Sequence, residues 1–479
     1  MELESIVGAD HVFDDDETLI RYSKDSSTTR PRKPSFVVRP RDTNEVVKIV
    51  RLANRRGIPI VPSSSDVHFH GTTIPRQGGV VVDLRRMGRI LEVDGRNRVA
   101  RIEPGVTWGS LQSRLKDAGL MALNPLLPHW GKSVLTSHLE REPILITKYE
   151  YGDPVLAMEV VLPTGGVLRT GSASAPGAPE DTIVDLVGPY GPGLDFFRLF
   201  QGAQGTLGIV TWMAIKVERL PEFQELYFIP FESVHNAIEP MYAIQRLRLG
   251  SECFLLNSSN LAKIVASKPT EIEKLTQTLP EWSLVICLAS TPRRPKERMM
   301  YEEESLMELG SRFHLDIQSR LPGARGAEGV VEQLLRQPWP RSEVYWRHRL
   351  KGGCQDLSFH TTMERVPAFV RQAHEIASKF EYSPGEVGCY VQPMEWGRAS
   401  YCELDFPYEP DDPNDVGKVV DLSRQLGKAL FLQGALFTRP YGTLSEFVYD
   451  MAGSYTVVLK KIKTLLDPNN VMNPGRLCF

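Results

Sequence analysis

Short apolar runs separated by Gly, Pro and polar residues recur through the first 220 positions of the chain. The runs at Phe36–Val38, Gly79–Leu84 and Arg98–Glu103 have the length of strands. Between the first two, residues Asn44–Gly57 place their apolar side chains on one stripe and end at a glycine, which predicts an amphipathic helix. Since Pro59 starts a further apolar run, the pattern predicts strand–helix–strand.

The stretch Ile58–Met87 holds a loop of small residues between two predicted strands. Such a loop exposes backbone N–H groups in a concave nest, where proteins bind phosphate or pyrophosphate. His68 and His70 in this loop are two positions apart, so on a strand they would share a face and could ligate a metal. Because no further His/Cys cluster accompanies them, we interpret both as groups that line a site.

Further along, the pattern predicts a helix at Thr107–Asp117 and a hairpin that joins Leu156–Leu162 to Val167–Thr170. A glycine-rich turn then precedes an apolar run at Ile209–Val217, and from about Glu222 helices alternate with strands. Strands are expected there at Leu226–Ile229, Trp282–Leu288, Leu357–Thr361, Gly388–Gln392 and Ser400–Phe406. The final segment, Leu444–Leu466, is expected to be helical. We predict an α+β protein with three segments, at residues 1–221, 222–434 and 435–479.

Composition narrows the class of protein and its partners. With 42% hydrophobic and 24% charged residues and a net charge of −3, the chain resembles ordinary globular proteins. We therefore expect neither nucleic acid nor a membrane as partner. The acidic N-terminus shows no signal or transit peptide, and the six cysteines lack CxxC spacing, so the expected compartment is the cytoplasm.

Several common catalytic motifs are missing from the sequence. No GxGxxG opens the first helix, and no Walker loop, HExxH or GxSxG is present. These absences argue against the usual NAD-dependent, ATP-dependent, zinc-protease and serine-hydrolase classes.

Six segments in a particular order resemble a known family. They read RPRDTNEVVKIVRLANRRGIPIVP, GGVVVDLRRMGRILEVD, ARIEPGVTWGSLQSRL, VLAMEVVLPTGGVLRTG, LFQGAQGTLGIVTWMAI and LLDPNNVMNPGRL. Together they resemble the vanillyl-alcohol oxidase and p-cresol methylhydroxylase family of FAD-linked oxidoreductases, in a divergent 4-cresol dehydrogenase-like branch. The resemblance covers nearly the whole chain. It implies a split FAD-binding domain of the vanillyl-alcohol oxidase type beneath an α+β cap.

The resemblance also implies a reaction and three catalytic residues. The branch transfers hydride from a substrate C–H bond, of alcohol or benzylic type, to the flavin N5. Glu140 matches the acid or base near the reacting carbon, Arg439 matches the arginine that steadies the anionic substrate oxygen, and His70 stands where the branch binds the phenol with a tyrosine. A fixed cation beside a developing oxyanion lowers the barrier, and a carboxylate near the carbon handles the proton or water.

The same match implies the FAD-binding positions. They are Ser63, Ser64, Ser65, Val67, His68, Gly71, Ser133, Ser137, Tyr151, Gly202, Gly205, Thr206, Gly208, Ile209, Val210, Asn473 and Arg476. At the cap position where many members attach FAD through His or Tyr, this chain has Gln355-Asp356-Leu357. We therefore expect non-covalent FAD, with a link through His68 or His70 as the alternative.

The chain also departs from the family pattern. Ser63–Val67 replaces a glycine-rich phosphate loop, Asp66 adds negative charge there, Thr136 replaces a glycine, and Thr438 replaces the tyrosine before Arg439. One alternative is therefore a flavin-poor, non-catalytic subunit of a hetero-oligomeric flavoenzyme. Another is a 2-hydroxy-acid dehydrogenase of the same fold, against which the missing HxGDGNxH-like metal segment argues. The expected partners are a small-molecule substrate and an electron-acceptor protein or homologous subunit, in a homo- or hetero-oligomer.

Overall fold

The computed structural model describes residues 2–174, 186–290 and 293–479, and the strands in these ranges form three β-sheets. The first sheet contains β1 (Val12–Phe13), β2 (Phe36–Val38), β3 (Ile60–Ser63) and β4 (Val80–Asp83). The second contains β5 (Ile90–Asp94), β6 (Val99–Ile102), β7 (Leu120–Ala122), β8 (Val155–Val161), β9 (Val167–Arg169) and β10 (Ile209–Arg219). The third contains β11 (Gln224–Phe231), β12 (Glu252–Asn257), β13 (Trp282–Ala289), β14 (Gly353–Thr361), β15 (Gly388–Met394) and β16 (Ala399–Tyr408).

The α-helices in the described ranges are numbered along the chain. They are α1 (Glu4–Val7), α2 (Asp16–Arg21), α3 (Thr43–Arg56), α4 (Trp108–Asp117), α5 (Val134–Leu139), α6 (Phe197–Phe200), α7 (Val234–Arg246), α8 (Ser258–Val265), α9 (Ile272–Thr278), α10 (Pro295–Phe313), α11 (Glu328–Leu334), α12 (Val366–Ser378), α13 (Pro413–Leu432), α14 (Gly442–Met451) and α15 (Gly453–Leu466). None of the helices in the described part of the chain combines the length and apolar character needed to cross a membrane.

The first sheet carries the predicted strand–helix–strand unit. Strands β2, β4 and β3 run parallel in that spatial order, and α3 connects β2 to β3. Asp42 caps α3 by accepting a hydrogen bond from the Glu45 amide, and the Glu45 carboxylate reaches back to the Arg41 amide. The helix ends where Gly57 adopts the left-handed conformation, as the sequence predicts.

The end of the chain returns to this sheet. The amide of Ile60 in β3 donates to the carbonyl of Val471, and the amide of Asn473 donates to the carbonyl of Ile60. The terminal segment therefore extends the edge at which β3 leads into the small-residue loop.

The second and third sheets account for the remaining strands. Strand β10 pairs with β6, β7 and β8, and the predicted hairpin is present as β8 and β9. The third sheet is antiparallel in the order β11-β13-β12-β15-β16-β14, with apolar clusters on its faces. Strand β12 is absent from the sequence prediction, although all six of its residues are buried. These sheets and helices confirm the α+β class.

The sequence predicts one continuous helix near the end of the chain, and this prediction is wrong. Leu444–Leu466 forms two helices, α14 and α15, which meet at Ala452 and Gly453, and Gly453 has a φ of +46°. Periodicity alone does not reveal such a break, because the apolar positions continue across it. The domain limits stay a proposal: every strand of the third sheet comes from within the proposed cap, residues 222–434.

Candidate active site

A narrow slot lies between the loop after β3 and the turn before β10. Its lining residues are Pro62, Ser63, Ser64, His68, Thr72, Thr73, Leu84, Pro104, Leu135, Thr136, Leu139, Glu140, Phe200, Gly202, Ala203, Gln204, Gly205, Gly208, Ile209, Val210 and Tyr441. Gly205 has a φ of +72°, and a Cβ there would lie 2.5 Å from Cγ of Pro62. Since the two walls approach this closely, the position requires glycine. The hydroxyls of Ser64 and Thr136 hydrogen-bond to each other.

The small-residue loop is held by the N-terminal arm. The amide of Gly71 donates to Oδ2 of Asp25 at 2.7 Å, and a Cβ on Gly71 would lie 2.0 Å from Oγ1 of Thr29. Asp66 turns toward solvent, where it forms ion pairs with Arg21 and Arg85. Because Asp66 does not line the slot and is paired with two cations, its charge lies outside the space where a phosphate would be expected.

The two loop histidines point to different spaces. Nε2 of His68 lies 3.1 Å from Oγ of Ser63 and 2.9 Å from the carbonyl of Ser65, and the ring lines the slot. His70 instead lines a separate cavity beneath the third sheet. The loop between them is not a strand, so the premise of a shared metal-binding face is wrong. Within the described ranges, no group of three or more His, Cys, Asp or Glu side chains is placed to hold a metal ion.

The end of α5 brings two carboxylates around one ammonium. The amide of Glu142 donates to the carbonyl of Ser137, the amide of Arg141 donates to the carbonyl of His138, and Arg141 is left-handed with a φ of +59°. This pattern is a Schellman motif with an arginine where glycine is usual. The reversal of the chain places Glu140 and Glu142 on the same side.

Beside the end of α5, five side chains that are buried or nearly buried contact one another in a closed ring. Nζ of Lys132 donates to Oε2 of Glu140 and to Oε1 of Glu142, at 2.6 Å in each case. Oε1 of Glu142 lies 4.0 Å from Nη2 of Arg439, which donates to Nε2 of His70 at 3.0 Å. Nε2 of His70 lies 4.0 Å from Oε2 of Glu140 and closes the ring. The order around the ring is Glu140, Lys132, Glu142, Arg439 and His70. Carboxylates and cations therefore alternate, and the imidazole lies between Arg439 and Glu140.

The partners of His70 indicate its tautomer. A guanidinium can only donate, so Nε2 accepts from Arg439 and the proton lies on Nδ1, which faces Oδ1 of Asp356 at 3.7 Å. The pKa of His70 is lowered to about 3, mainly by burial and also by the nearby cations Arg439 and Lys132, while Glu140 opposes the shift. The imidazole stacks on the ring of Tyr441, which lines the slot.

The inner cavity beyond this ring is small and aromatic. It has a volume of about 50 Å³. Its rings come from Phe69, His129, Tyr345, His348, Tyr390 and Tyr401. The hydroxyl of Tyr401 accepts a hydrogen bond from Arg439 at 3.4 Å and donates to Glu403. The pKa of Glu403 is raised to about 7, mainly by burial and also by Asp405 and Asp356, while Arg347 opposes the shift.

A larger outer cleft of about 1120 Å³ leads to the same ring. Its walls come from the N-terminal arm, β14, α13 and the segment that begins at Arg439. His70, Asp356 and Arg439 line both the cleft and the inner cavity. The cleft therefore connects the inner cavity to the surface.

The structure places the predicted residues unevenly. Of the proposed FAD-binding residues, those that line the slot are Ser63, Ser64, His68, Gly202, Gly205, Gly208, Ile209 and Val210. Those that lie outside its lining are Ser65, Val67, Gly71, Ser133, Ser137, Tyr151, Thr206, Asn473 and Arg476.

The outlying residues mostly support the walls of the slot. Ser133 donates to the carbonyl of Pro104, and Ser137 accepts from the indole of Trp108. Asn473 donates to the carbonyls of Thr72 and Gln204 and so ties the two walls together, while Arg476 donates to the carbonyls of Gly71 and Ile74. Tyr151 lies under the guanidinium of Arg141, beside His360.

Sequence reasoning missed Lys132, Glu142, Tyr401 and the Arg347–Glu403 pair. Lys132 stands in a Gly-Lys-Ser turn, and the Glu-Arg-Glu triplet that contains Glu142 suggests an exposed surface. Glu140 and Lys132 are buried, and the side chain of Glu142 is only 16% exposed. These buried charges could have been suspected from the sequence, because they flank the segment Ser133–Leu139, whose apolar residues contrast with them. The sequence does not identify the partner of each charge.

Comparison with known proteins gives a consistent result. An FAD binding domain family matches residues 34–171. A D-lactate dehydrogenase from Anaerostipes hadrus is 30% identical over 468 residues, which cover 93% of this chain and 90% of that protein.

Two solved structures share the fold. A p-cresol methylhydroxylase with substrate bound superimposes with a TM-score of 0.82 at 19% identity, covering 100% of this chain and 96% of that chain. A 4-ethylphenol oxidase from Gulosibacter chungangensis has a TM-score of 0.84 at 21% identity, covering 99% and 95%.

The chemistry of the slot fits FAD. Turns with positive-φ glycines bring backbone close to the space, Ser63 and Ser64 supply hydroxyls, and Leu135 and Phe200 supply apolar surface. The buried Nδ1 of His68 has no hydrogen-bond partner among the described residues, which leaves a polar atom for a ligand. The chain belongs to the vanillyl-alcohol oxidase and p-cresol methylhydroxylase family and is an FAD-dependent oxidoreductase.

Proposed function

We propose that this enzyme oxidises a benzylic or alcohol C–H bond of a hydroxyaromatic substrate, with the ring in the inner cavity and the reacting carbon toward the slot. FAD, when bound, supplies the hydride acceptor at N5. The supporting observation is a buried guanidinium, Arg439, inside an aromatic cavity that adjoins the slot through His70 and Tyr441.

Arg439 is the proposed group for the substrate oxygen. Loss of hydride from a carbon conjugated to a hydroxyl is easiest when the oxygen is anionic, and a preorganised cation stabilises that charge. The geometry holds Arg439 in place through His70 and Tyr401, so little reorganisation is needed when the charge develops. Tyr401 and Glu403 offer a path for the proton that leaves the hydroxyl.

Glu140 is the proposed acid or base for the reacting carbon. It lines the slot, whereas Arg439 lines the inner cavity, and both side chains approach Nε2 of His70, at 4.0 and 3.0 Å. His70 supports both as a neutral imidazole. We also propose that the slot residues, together with Asn473 and Arg476 behind them, hold FAD without a covalent bond.

Anaerobic bleaching of the flavin tests this proposal. The purified protein is expected to be yellow and to lose its flavin absorbance with 4-alkylphenols or 4-hydroxybenzyl alcohols. Arg439→Gln should lower kcat/KM by about 100- to 1,000-fold while flavin content is unchanged. Arg55→Gln, on the exposed face of α3, is the matched control and should behave as wild type. Unchanged turnover in Arg439→Gln would show that the arginine is structural.

A second candidate is oxidation of a 2-hydroxy acid, which the 30% identity to a D-lactate dehydrogenase favours. Arg439 would then bind the substrate carboxylate. The charges of the inner cavity favour neither candidate, because three carboxylates, Glu142, Asp356 and Glu403, face three cations, Lys132, Arg347 and Arg439. D-lactate, glycolate and D-2-hydroxyglutarate belong in the same bleaching panel. Reduction by these acids alone would replace the first proposal with the second.

The remaining expectations concern partners. The comparisons favour an enzyme over a flavin-poor subunit, and a flavin-to-chain ratio well below one in freshly purified protein would reopen that alternative. We propose an electron-acceptor protein or homologous subunit as the partner. The cytoplasmic location and the oligomeric state stay predictions.

A further inference from the structure

Lys132 carries a buried ammonium group. Its side chain is buried, and Nζ lies 2.6 Å from each of two carboxylates and 5.5 Å from the centre of the Phe69 ring. Its backbone is equally constrained, since its amide donates to the carbonyl of His129 and its carbonyl accepts from the amide of Trp108. A buried charge is stable only when it is paired, so Lys132 and its carboxylates form one electrostatic unit.

The two carboxylates face different spaces. Glu140 lines the slot, whereas Glu142 lines the inner cavity and lies 4.0 Å from Arg439. Burial alone would raise the pKa of Glu142, but the attraction of Lys132 and Arg439 lowers it to about 2. Burial likewise opposes the charged form of Lys132, yet Glu140 and Glu142 raise its pKa above the ordinary value. Lys132 and Glu142 are therefore both held in their charged forms by their partners.

We propose that Lys132 and Glu142 are a positioning pair for the two groups that act on the substrate: Lys132 fixes the Glu140 carboxylate at the slot through a hydrogen bond, and Glu142 holds Arg439 at the inner cavity. This inference rests on the proposed function. The successive contacts Arg439–Glu142, Glu142–Lys132 and Lys132–Glu140 fix the distance between the oxygen-binding cation and the carboxylate near the reacting carbon. It also leaves these four charges balanced, so a substrate hydroxyl enters without a net charge to oppose it.

The first test is independent of any substrate. Because the folded-state pKa of Glu142 is depressed, its contribution to stability is present above about pH 4.5 and is lost as the pH falls toward 2. Lys132→Met should therefore lower the Tm of the flavin-loaded enzyme at pH 7, and the difference from wild type should narrow below pH 4.5. A difference that stays constant with pH would mean that Lys132 only fills space, and would overturn the proposal.

The second test is kinetic. Lys132→Met should lower kcat on the order of 100-fold with flavin content unchanged, because a small displacement of Glu140 costs that much. Lys132→Arg, which keeps the charge, should recover at least about tenfold of the loss. Equal loss in both variants would overturn the proposal.

A matched control and a comparison separate the two proposals. Lys148→Met removes an exposed lysine that also pairs with a glutamate, Glu218, and should change neither readout. If the Tm difference narrows as expected while hydroxyaromatic substrates fail to bleach the flavin, the positioning pair stands and the proposed substrate class falls.

Discussion

The imidazole of His70 lies flat on the ring of Tyr441, with centroids 4.1 Å apart and planes within 1° of parallel. Tyr441 lines the slot, and His70 lines the inner cavity and the outer cleft. The stacked pair is therefore a wall shared by the proposed cofactor and substrate spaces. Its position relates the proposed FAD site to Arg439, two residues before Tyr441 in the chain.

Replacing His70 by Phe keeps the stack but removes the acceptor for Arg439. We expect the buried Nη2 of Arg439 to lose its partner, at a cost of about 1 to 3 kcal/mol, and kcat/KM to fall by at least about tenfold. Tyr441→Phe, which preserves both the stack and the hydrogen bond, is the comparison and should have the smaller effect. Steady-state kinetics on flavin-loaded protein measure both, and equal activity of His70→Phe and wild type would contradict the role of His70.

The loop glycines differ in how much space surrounds them. Gly71→Ala forces a Cβ to within 2.0 Å of Oγ1 of Thr29 at a φ of +71°, whereas Gly119→Ala, at a φ of +67°, meets no atom within 4 Å. Gly119→Ala should cost about 1 to 2 kcal/mol for the backbone alone. Gly71→Ala should cost more and also reduce flavin content, since the loop borders the slot. Urea unfolding and flavin absorbance test this, and equal losses of stability would contradict it.

We expect Asp66 not to oppose FAD binding, because its charge is paired with two arginines outside the slot. Its side chain is about half exposed and pairs with Arg21 and Arg85, so Asp66→Asn should lower stability by less than about 1 kcal/mol. FAD affinity should stay within a few-fold of wild type. Asp25→Asn, which weakens the hydrogen bond from Gly71, should have the larger effect on flavin retention. A marked gain in FAD affinity on Asp66→Asn, measured by titration of the apoprotein, would show that its charge does reach the phosphates.

Glu403 gives the folded state a pH dependence. Its folded-state pKa of about 7 lies above the ordinary 4.5, so its contribution to stability is complete below pH 4.5 and is lost as the pH rises through 7. Glu403→Gln should flatten the Tm–pH profile between pH 5 and 8. Glu381→Gln, on an exposed side chain, is the control and should leave the profile unchanged. A profile as steep in Glu403→Gln as in wild type would contradict the assignment.

FAD is expected to leave the protein on denaturation. The cap position offers Asp356 rather than His or Tyr, and a carboxylate does not form the expected link. Acid precipitation should therefore release all flavin into the supernatant, measured by absorbance. Flavin that stays with the pellet would indicate a covalent bond, and His68→Ala and His70→Ala would then identify its position.

Local patterns predicted strands β2, β3 and β4 and helix α3 because their causes are local, whereas strand β1 was not predicted. Asp42 and Glu45 cap α3 through neighbours within four positions, and Gly57 ends it through its own φ. The hairpin of β8 and β9 follows from turn residues in the same way. Strand β12 escaped prediction because only four apolar residues separate Glu252 from Asn257, and these two polar ends are buried through the distant partners Arg336 and Val387.

The order of apolar runs, turns and glycines was enough to predict the α+β class and the resemblance to the FAD-binding family, whereas the role of Arg439 at a substrate stays a prediction of that resemblance. Only the tertiary structure decided that Glu140 and Glu142 share Lys132, that Arg439 donates to His70, and that Asp66 faces solvent. The reason is physical. The partners of these charged side chains lie anywhere from eight residues away, as for Lys132 and Glu140, to several hundred, as for Arg439 and His70. The free energy of a buried pair depends on burial and distance, which a linear pattern does not contain.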